Sequence, residues 1–375
     1  MRFLHTADLH LGKRVNDFSM IDEQKYILKQ IISIAKDEKI DAMLISGDVY
    51  DKNVPIVEAV ELLDEFLQSL VDLNCTVFMI GGNHDSAQRL QFASSFLEKS
   101  KIYVKAVYEH KQKPIKMTDE NGEIFLYLLP FIKPSSVKKE CDTSQIESYD
   151  EAISFAIKSM EVDYSKRNII LAHQFVIGAK TCESEELVVG GSEQVSAKHF
   201  DEFDYVALGH LHSPQTVGQK HIRYSGTPLK YSFSEIKHKK SVTIVDIKEK
   251  DNIEIYTREL IAQKDLREEK GKFDEIFIKA LEQQSQDYMH VILTDEEDVV
   301  NALGKLREVY PNIMKLSYDN TRTKKELEII DLPNVEQRNP EEIFEEFYEL
   351  RNNKEITLEG KNIINKMVKE VWGEM

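Results

Sequence analysis

The sequence predicts a layered α/β fold for most of the chain. Between Met1 and about Asp246, short apolar runs typical of strands alternate with segments in which apolar residues recur at helical spacing. Polar motifs follow several of these runs directly, which is where open α/β sheets place their ligands. With 375 residues, 41% of them hydrophobic, the chain can form one large core and appended modules, so we expect two or three domains.

The helices of this region are predicted from their apolar stripes, and the strands from their short apolar runs. A first helix is expected to bury Tyr26, Ile27, Ile31, Ile34 and Ala35. A second is expected to open at Pro55 and to bury Val60, Leu63, Phe66, Leu67 and Leu70. The expected strands are 42–45, 76–80, 169–172 and 205–208, followed by an antiparallel pair at 241–247 and 253–257.

A second unit is predicted to begin near Leu260. Its clearest elements are a strand at 289–293, a helix starting at Thr294 with Glu297 completing a capping box, and a strand at 313–316. The helix is expected to bury Val299, Leu303, Leu306 and Val309. Because this unit lacks residues with ligand spacing, we do not expect it to be catalytic.

A helical tail is predicted after the polar stretch 319–338. Asn339 and Pro340 supply a cap and a first-turn proline, followed by an apolar stripe at Phe344, Phe347 and Leu350. A further helix carries Ile363, Ile364, Met367, Val368, Val371 and Trp372. Short amphipathic helices are not stable alone, so these faces must dock on the protein's own core or on a partner.

Five short segments carry oxygen and nitrogen donors suited to two adjacent divalent metal ions. Each follows an apolar run, and their joint occurrence is far more informative than a single Gly-Asp turn or strand-end histidine. The candidate ligands are Asp8, His10, Asp48, Asn83, His173, His210 and His212. Carboxylate, amide and imidazole donors without thiolate favour an ion such as Mn²⁺, with iron and zinc left open.

Other residues in these segments suit supporting roles. His84 is adjacent to Asn83 on a turn and cannot readily point at the same ion, so it is expected to face the substrate as the catalytic histidine. Asp85 is expected to orient a neighbour. Asp51 and His5 are comparable candidates, with an ordinary packing role equally open.

The order D-x-H, G-D, G-N-H-D, H, G-H-x-H resembles the signature of calcineurin-like metallophosphoesterases. Within that group the chain resembles the SbcD type of DNA exonuclease subunit, the bacterial relative of the nuclease that processes double-strand breaks. The stretches that carry this resemblance are 5–12, 189–192 and 224–232. The resemblance implies a layered β-sandwich core flanked by helices, with a small α+β cap and a helical tail. The implied bounds are 1–258 for the nuclease domain, 259–318 for the DNA-positioning cap, 319–338 for a linker and 339–375 for the tail.

The same resemblance assigns roles. It implies that Asp8, His10 and His212 hold one metal, that Asn83, His173 and His210 hold the other, and that Asp48 bridges them. It also implies a manganese-dependent nuclease of DNA repair, recombination and replication, with 3′ to 5′ exonuclease action on duplex ends and endonuclease action on single strands or hairpins. The tail would bind an ABC-type ATPase, and two copies of this chain would form a homodimer within a heterotetramer.

Composition limits these functions. A net charge of −17 repels a polyanion, so tight unaided DNA binding is not expected; bound metals and a partner's basic surface would compensate. A phosphate loop of the G-x-x-x-x-G-K-[ST] kind is missing, which places any ATP use on another subunit. We found no secretion-signal pattern and no apolar stretch of membrane-spanning length, and three distant cysteines do not suggest a disulfide framework, so a cytoplasmic protein is expected.

Two alternative functions stay open at this point. A protein or small-molecule phosphatase would share the metal core, although residues 47–53 lack the Asp-Arg-Gly ending typical of protein phosphatases. A non-catalytic adaptor that tethers DNA ends would use the metal site only for its shape.

Overall fold

The computed structural model describes residues 1–141, 145–182, 185, 193–321, 323, 340, 343–345, 348 and 356–372. The chain divides into two compact units, Met1–Leu266 and Arg267–Met375. The domain bounds expected from the sequence remain predictions. Within the described helices, none is both long and apolar enough to cross a membrane.

The first unit is built on strands that occur throughout its length. These strands are β1 (Arg2–Thr6), β2 (Arg14–Val15), β3 (Phe18–Ser19), β4 (Ala42–Ser46), β5 (Thr76–Ile80), β6 (Ile102–Lys105), β7 (Ile115–Asp119), β8 (Gly122–Leu129), β9 (Arg167–His173), β10 (Phe175–Val176), β11 (Gln194–Val195), β12 (Tyr205–Gly209), β13 (Gln215–Val217), β14 (Gln219–Tyr224), β15 (Ser241–Ile247) and β16 (Ile253–Glu259). The strands expected from apolar runs are thus confirmed, including the antiparallel pairing of β15 with β16.

Helices fill the connections between these strands. They are α1 (Ile21–Asp37), α2 (Val57–Asp72), α3 (Ala87–Leu90), α4 (Ser94–Leu97), α5 (Pro134–Cys141) and α6 (Tyr149–Ser159), with short 3-10 helices at Glu98–Ser100, Ala197–Phe200 and Phe233–Glu235. The capping box of α6 is complete, because the Ser148 hydroxyl accepts from the Glu151 N–H and the Glu151 carboxylate accepts in return from the Ser148 N–H.

Two details of the predicted helices were wrong. Tyr26 is 40% exposed, on the border of the stripe that buries the other predicted residues of α1. The second helix begins at Val57 and not at Pro55, because Ile56 still has an extended backbone. This later start gives the first buried position to Ala59 and leaves Val60 exposed.

The strands form two large sheets that pack face to face. One has the order β16-β15-β1-β4-β5-β6, and the other has the order β13-β14-β12-β9-β8-β7. Their facing side chains form a buried core that includes Phe3, Leu44 and Phe78 from the first sheet and Leu126 and Leu171 from the second. The predicted layered β-sandwich is confirmed.

Helices cover the outer faces of this sandwich. In front of the first sheet, α1 packs against α2, and α2 packs against β5. Behind the second sheet, Ala152, Ile153 and Ala156 of α6 join a buried cluster with Ile170 and Val206. The resulting layers are helix, sheet, sheet and helix.

Parallel strands at the centre of both sheets bring the site loops together. Strands β1, β4 and β5 run parallel in the first sheet, as do β9 and β12 in the second. The five candidate ligand segments lie at the carboxyl ends of these strands. The ends of neighbouring parallel strands share one edge of a sheet, so residues that are distant in sequence become neighbours there.

The second unit has its own small sheet and core. Its elements are β17 (Leu266–Gly271), α7 (Phe273–Glu282), β18 (Tyr288–Leu293), α8 (Ala302–Arg307), β19 (Ile313–Tyr318) and α9 (Leu358–Trp372). The sheet order is β17-β18-β19, with β18 and β19 parallel, as a strand-helix-strand module requires. Ile276, Val291 and Leu306 are members of its buried core.

The predicted helix start at Thr294 was wrong, because helical structure begins only at Ala302. The two acidic residues that follow Thr294 bind other segments. The Asp295 carboxylate accepts from the Phe273 N–H at the start of α7, and the Glu296 carboxylate accepts from the Thr321 hydroxyl. Of the residues expected on the buried face, Leu306 and Val309 are buried, whereas Val299 and Leu303 are partly buried.

The final helix has two distinct faces. Ile364 and Val368 of α9 are buried with Ile356, and Tyr348 packs against them. Leu358, Ile363 and Met367 are exposed, as is Phe344 before the helix. The predicted cap at Asn339, the stripe residues Phe347 and Leu350, and most of the expected linker lie outside the described residues, as do the side chains of Val371 and Trp372.

Candidate metal centre

The loops that follow β1 and β4 run side by side and hold each other. The Asp8 N–H donates to the Gly47 carbonyl at 3.0 Å, and the His10 N–H donates to the Asp48 carbonyl at 2.9 Å. Asp8, His10 and Asp48 have φ angles of 53°, 44° and 46°, in the left-handed region that non-glycine residues seldom adopt. Such strain persists only where the surroundings enforce it, and it is typical of functional sites.

The Asp48 carboxylate lies at the centre of the candidate site. Its Oδ2 atom is 3.4 Å from Nε2 of His173, 3.8 Å from Nε2 of His10 and 4.0 Å from Nε2 of His84. The other oxygen, Oδ1, accepts the His84 N–H at 2.9 Å. One carboxylate therefore faces imidazoles on several sides.

Asn83, His173 and His210 meet around one amide oxygen. Oδ1 of Asn83 lies 2.9 Å from Nε2 of His173 and 3.0 Å from Nδ1 of His210. The His173 ring is oriented from behind, because its Nδ1 atom lies 2.8 Å from the Ser46 carbonyl. Asp8 also reaches this side, since its carboxylate accepts the His210 N–H at 2.9 Å.

His10 and His212 lie on the other side of Asp48. Their ring centroids are 5.2 Å apart. Both ring nitrogens of His10 are buried and lack a hydrogen-bond partner among the described residues. A buried imidazole without partners is costly in a protein, whereas a metal ion would satisfy it. The residues present thus fit a bound divalent ion.

The glycines of the ligand motifs are required by close approach. A Cβ on Gly82 would lie 2.1 Å from Oδ1 of Asp48, and one on Gly209 would lie 1.8 Å from the Ser46 carbonyl oxygen. Both distances are far shorter than van der Waals contact. Glycine at these positions lets the loops pack closely enough for their neighbouring side chains to converge.

Burial and mutual attraction set the protonation of the site. Burial raises the pKa of Asp8 well above its usual value, and the nearby Asp48 charge adds to this effect. Burial alone would raise the pKa of Asp48 and lower that of His173. Their attraction reverses both effects, so that the pKa of Asp48 falls and that of His173 rises to about 9. Burial lowers the pKa of His210 to about 3. Carboxyl and imidazole groups buried this close together form a donor set that divalent cations stabilise.

His84 lies where the centre opens to solvent. Its Nδ1 donates to the Asp51 carbonyl at 3.0 Å, which orients the ring so that Nε2 lies on the side of Asp48. A cavity of about 350 Å³ adjoins it, lined by Lys13, Asp51, Lys52, Asn53, Asn83 and His84. The predicted catalytic histidine is therefore the site imidazole that borders this cavity together with two lysines.

The expected supporting residues have different environments. The Asp85 carboxylate accepts the N–H groups of Val49, Tyr50 and Gly82, which joins the two loops that carry Asp48 and Asn83. Asp51 accepts from Lys13 at 2.7 Å beside the cavity. His5 lies deeper, 2.8 Å from the Tyr205 hydroxyl, where burial lowers its pKa to about 3. All eight predicted site residues thus lie together, while Val189–Ser192 fall outside the described residues.

Sequence reasoning missed a second layer of polar residues behind the ligands. Glu235, Lys240, Tyr231 and Gln24 are buried and hydrogen-bonded to the ligand-bearing segments. Tyr231 belongs to a stretch that was singled out by resemblance, but no spacing rule connects it with Asp8. Apart from that stretch, the sequence held no signal that could have found this layer.

Comparison with known proteins decides the family. Residues 1–214 match the calcineurin-like phosphoesterase family. Over 359 residues, the chain is 33% identical to the D subunit of the nuclease SbcCD from Staphylococcus epidermidis, with 93% of this chain and 92% of that protein covered. The chain belongs to the SbcD family of calcineurin-like phosphoesterases. As an SbcD-family protein, it is a metallophosphoesterase nuclease subunit whose cofactors are divalent metal ions.

Other likenesses accompany this assignment. Residues 262–352 of the SbcD-family chain match a family described as the type 5 capsule protein repressor C-terminal domain. A dimetal phosphatase from Danio rerio is 12% identical, with a TM-score of 0.43 over 70% of this chain and 97% of that one. A Thermus thermophilus protein, TT1561, is 13% identical, with a TM-score of 0.40 over 68% and 98% of the two chains.

Proposed function

We propose that this chain is a two-metal DNA phosphodiesterase that acts with an ABC-type ATPase in DNA repair and recombination. The observation that carries the proposal is the central Asp48 carboxylate, with His10 on one side and His173 on the other at 3.8 and 3.4 Å. A carboxylate between two groups of imidazoles suits a bridging role, because each of its oxygens can bind a different cation.

Each ion has its own proposed ligands. Asp8, His10 and His212 hold one ion, and Asn83, His173 and His210 hold the other. The short distances around Asn83 Oδ1 and the unpartnered nitrogens of His10 support this division. Donors without thiolate make Mn²⁺ the proposed metal. When bound, the pair of ions would activate water and stabilise negative charge on the phosphate.

His84 is the proposed catalytic residue. Its Nδ1–H is directed at the Asp51 carbonyl, so Nε2 is the atom placed to contact substrate or to protonate the leaving sugar oxygen. Lys13 and Lys52 line the same cavity and would contact the phosphates on either side of the cleaved bond. The cavity thus combines a proton donor with positive charge in a chain whose net charge is −17.

The substrate and the partner proposed for this chain are inferred from its staphylococcal relative. The similar protein from S. epidermidis is the D subunit of an SbcCD nuclease. We infer for this chain an SbcC-type ATPase partner, bound by the exposed apolar face of α9. We further propose 3′ to 5′ exonuclease action on duplex ends, endonuclease action on hairpins and single strands, and a cytoplasmic location.

A homodimer within the complex is also proposed. Val54, Ile56 and Val57 precede or begin α2 and are exposed, and Phe92 and Phe96 are 81% and 70% exposed. An exposed apolar surface formed by neighbouring side chains of this kind is typical of a protein–protein interface. A second copy of the chain is the proposed occupant, because a twofold axis would bring the same apolar residues of two copies together.

The purified full-length chain with Mn²⁺ tests the proposed activity. Wild type and Asp48→Asn are each incubated with duplex DNA and, separately, with a phosphoprotein. We expect wild type to release nucleotides from DNA and leave the phosphoprotein intact, and we expect Asp48→Asn to cleave neither substrate. Dephosphorylation without DNA cleavage would reassign the protein as a phosphatase. Folded wild type that binds DNA but cleaves neither substrate would favour the tethering adaptor.

A further inference from the structure

The segment from Thr227 to Lys240 lies behind the candidate metal centre and has no role in the proposed chemistry. Its Glu235 carboxylate is fully buried, as is most of Lys240. Buried charges of this kind are expensive unless they are paired and hydrogen-bonded. Their partners therefore indicate what the pair does.

Glu235 is directed at one proposed metal ligand. Nδ1 of His212 donates to Oε1 of Glu235 at 3.2 Å. This contact leaves Nε2 as the ring nitrogen that would bind metal. A carboxylate on the far nitrogen of a histidine ligand fixes its tautomer and ring orientation and increases its basicity.

Lys240 holds that carboxylate in place. Its ammonium group donates to Oε2 of Glu235, to the Thr227 hydroxyl at 2.6 Å and to the His212 carbonyl at 2.8 Å. All three donor hydrogens therefore have acceptors. Glu235 thus binds the side chain of His212, and Lys240 binds its backbone.

Tyr231, in the same segment, holds the other two proposed ligands of that ion. Its N–H donates to Glu235 at 3.3 Å, and its hydroxyl donates to the Leu9 carbonyl at 2.7 Å, between Asp8 and His10. Gln24 completes the contact by donating to the His10 carbonyl at 2.7 Å and to the Tyr231 hydroxyl at 2.9 Å.

The other proposed ion has different support. His173 is oriented by the Ser46 carbonyl, and the Asn83 turn is held by Asp85. Among the hydrogen bonds that join the 227–240 segment to the ligand-bearing loops in the described residues, the acceptors and donors are His212 and the Leu9 carbonyl, and none is Asn83, His173 or His210. The support of the two proposed ions is therefore divided between separate parts of the fold.

Cys182 also lies close to His212 and Glu235, within a cluster that has metal-ligand chemistry. A separate ion there would need Nδ1 of His212 and an oxygen of Glu235. Nδ1 already donates to Glu235, and both carboxylate oxygens accept hydrogen bonds. The cluster is better explained as support for His212 than as a third metal site.

We propose that Glu235, with Lys240 and Tyr231, is a positioning residue for only one of the two metal ions, the one assigned to Asp8, His10 and His212. The proposal rests on the two-ion ligand set proposed above. It predicts that the affinity for one ion can be lowered without changing the affinity for the other, by substituting residues that contact neither ion.

Manganese binding by Glu235→Gln tests this proposal without reference to activity. Calorimetry of the full chain should show two bound ions in wild type. In Glu235→Gln, one ion should retain its affinity and the other should weaken by about 10- to 100-fold. Electron paramagnetic resonance at one added equivalent should then show isolated Mn²⁺ with its six-line pattern. Tyr231→Phe, which removes only a hydroxyl, should weaken the same ion by a smaller factor.

Asp204→Asn is the matched control. Asp204 is a similarly buried carboxylate of the same unit, paired with Lys250 and accepting the Asn168 N–H, away from the centre. The Asp204→Asn variant should bind both ions with the affinities of wild type. Two ions of unchanged affinity in both Glu235→Gln and Tyr231→Phe would overturn the positioning role. Equal weakening of both ions would also overturn it. Wild type that takes up no Mn²⁺ would remove the metal centre itself and this inference with it.

Discussion

His84 lies at the boundary between the candidate centre and the solvent-facing cavity. Replacing it by Gln keeps a polar side chain but removes the imidazole that would donate a proton. We expect His84→Gln to lower kcat for DNA cleavage by about 10²- to 10⁴-fold, the usual contribution of general acid–base catalysis. Mn²⁺ stoichiometry should stay at two, because His84 is not among the proposed ligands. Unchanged kcat, or the loss of one ion, would mean that His84 has been assigned the wrong role.

Gly82 tests whether the loops must approach as closely as they do. A methyl group there would meet Oδ1 of Asp48 at 2.1 Å and its backbone nitrogen at 2.3 Å. Gly82→Ala should therefore displace the loops, weaken Mn²⁺ binding, and cost about 1–3 kcal/mol of stability through overpacking. Gly271→Ala is the control, because its new methyl group would have no neighbour closer than 3.6 Å. Equal Mn²⁺ affinity in both variants would contradict the argument.

At the scale of elements, one ion pair ties β7 to β9. Arg167 at the start of β9 donates to both oxygens of Asp119 at the end of β7, at 2.6 and 3.1 Å. This bidentate contact lowers the pKa of the Asp119 carboxyl to about 2. The folded state therefore binds this proton less readily than the unfolded state does. The contact should stabilise the protein fully above about pH 4, and its contribution should be lost as the pH falls toward 2.

Asp119→Asn should accordingly lower the free energy of unfolding, measured with urea at pH 7, by about 1–3 kcal/mol. The difference in free energy of unfolding between wild type and variant should decrease as the pH is lowered from 5 to 2.5. Glu123→Gln on the adjacent strand removes an exposed ion pair with Lys116 and should have little effect at any pH. A gap that widens toward low pH would contradict the assigned sign.

Helix α9 is the element proposed to bind the ATPase. Met367→Glu places a charge on its exposed apolar face, so it should abolish co-purification with an SbcC-type subunit and leave the melting temperature unchanged. Asn362→Glu adds the same charge beside that face and should still co-purify. Ile364→Ala acts on the buried face and should destabilise the local packing. Retention of the partner by Met367→Glu would rule out this face as its binding surface.

Local signals predicted the central elements well and the irregular ones poorly. The runs at 76–80 and 205–208 became strands β5 and β12 because a buried parallel strand needs only continuous apolar residues. The capping-box pattern at Thr294 failed because Asp295 and Glu296 bind residues distant in sequence. Glu235 was missed for the same reason. Its positioning role depends on contact with His212, which lies 23 residues away and is brought close only by the tertiary fold.

At the scale of the whole molecule, the exposed apolar residues Val54, Ile56, Val57, Phe92 and Phe96 are the proposed surface of the homodimer. Phe92→Glu combined with Phe96→Glu should convert the proposed homodimer into a monomer, measured by light scattering during gel filtration. Both side chains are largely exposed, so the fold should persist. Ile278→Glu, a charge on an exposed apolar residue of α7, serves as the control and should leave the dimer intact. A wild-type monomer, or a dimer unaffected by the double change, would contradict this surface assignment.

The most direct test of the two-metal centre is anomalous X-ray scattering from crystals soaked in Mn²⁺. Two peaks are expected about 3.5–4 Å apart, as in other two-metal sites. One should lie beside Asp8, His10 and His212, the other beside Asn83, His173 and His210, with Asp48 contacting both. A single peak, or two peaks that do not share Asp48, would contradict the account.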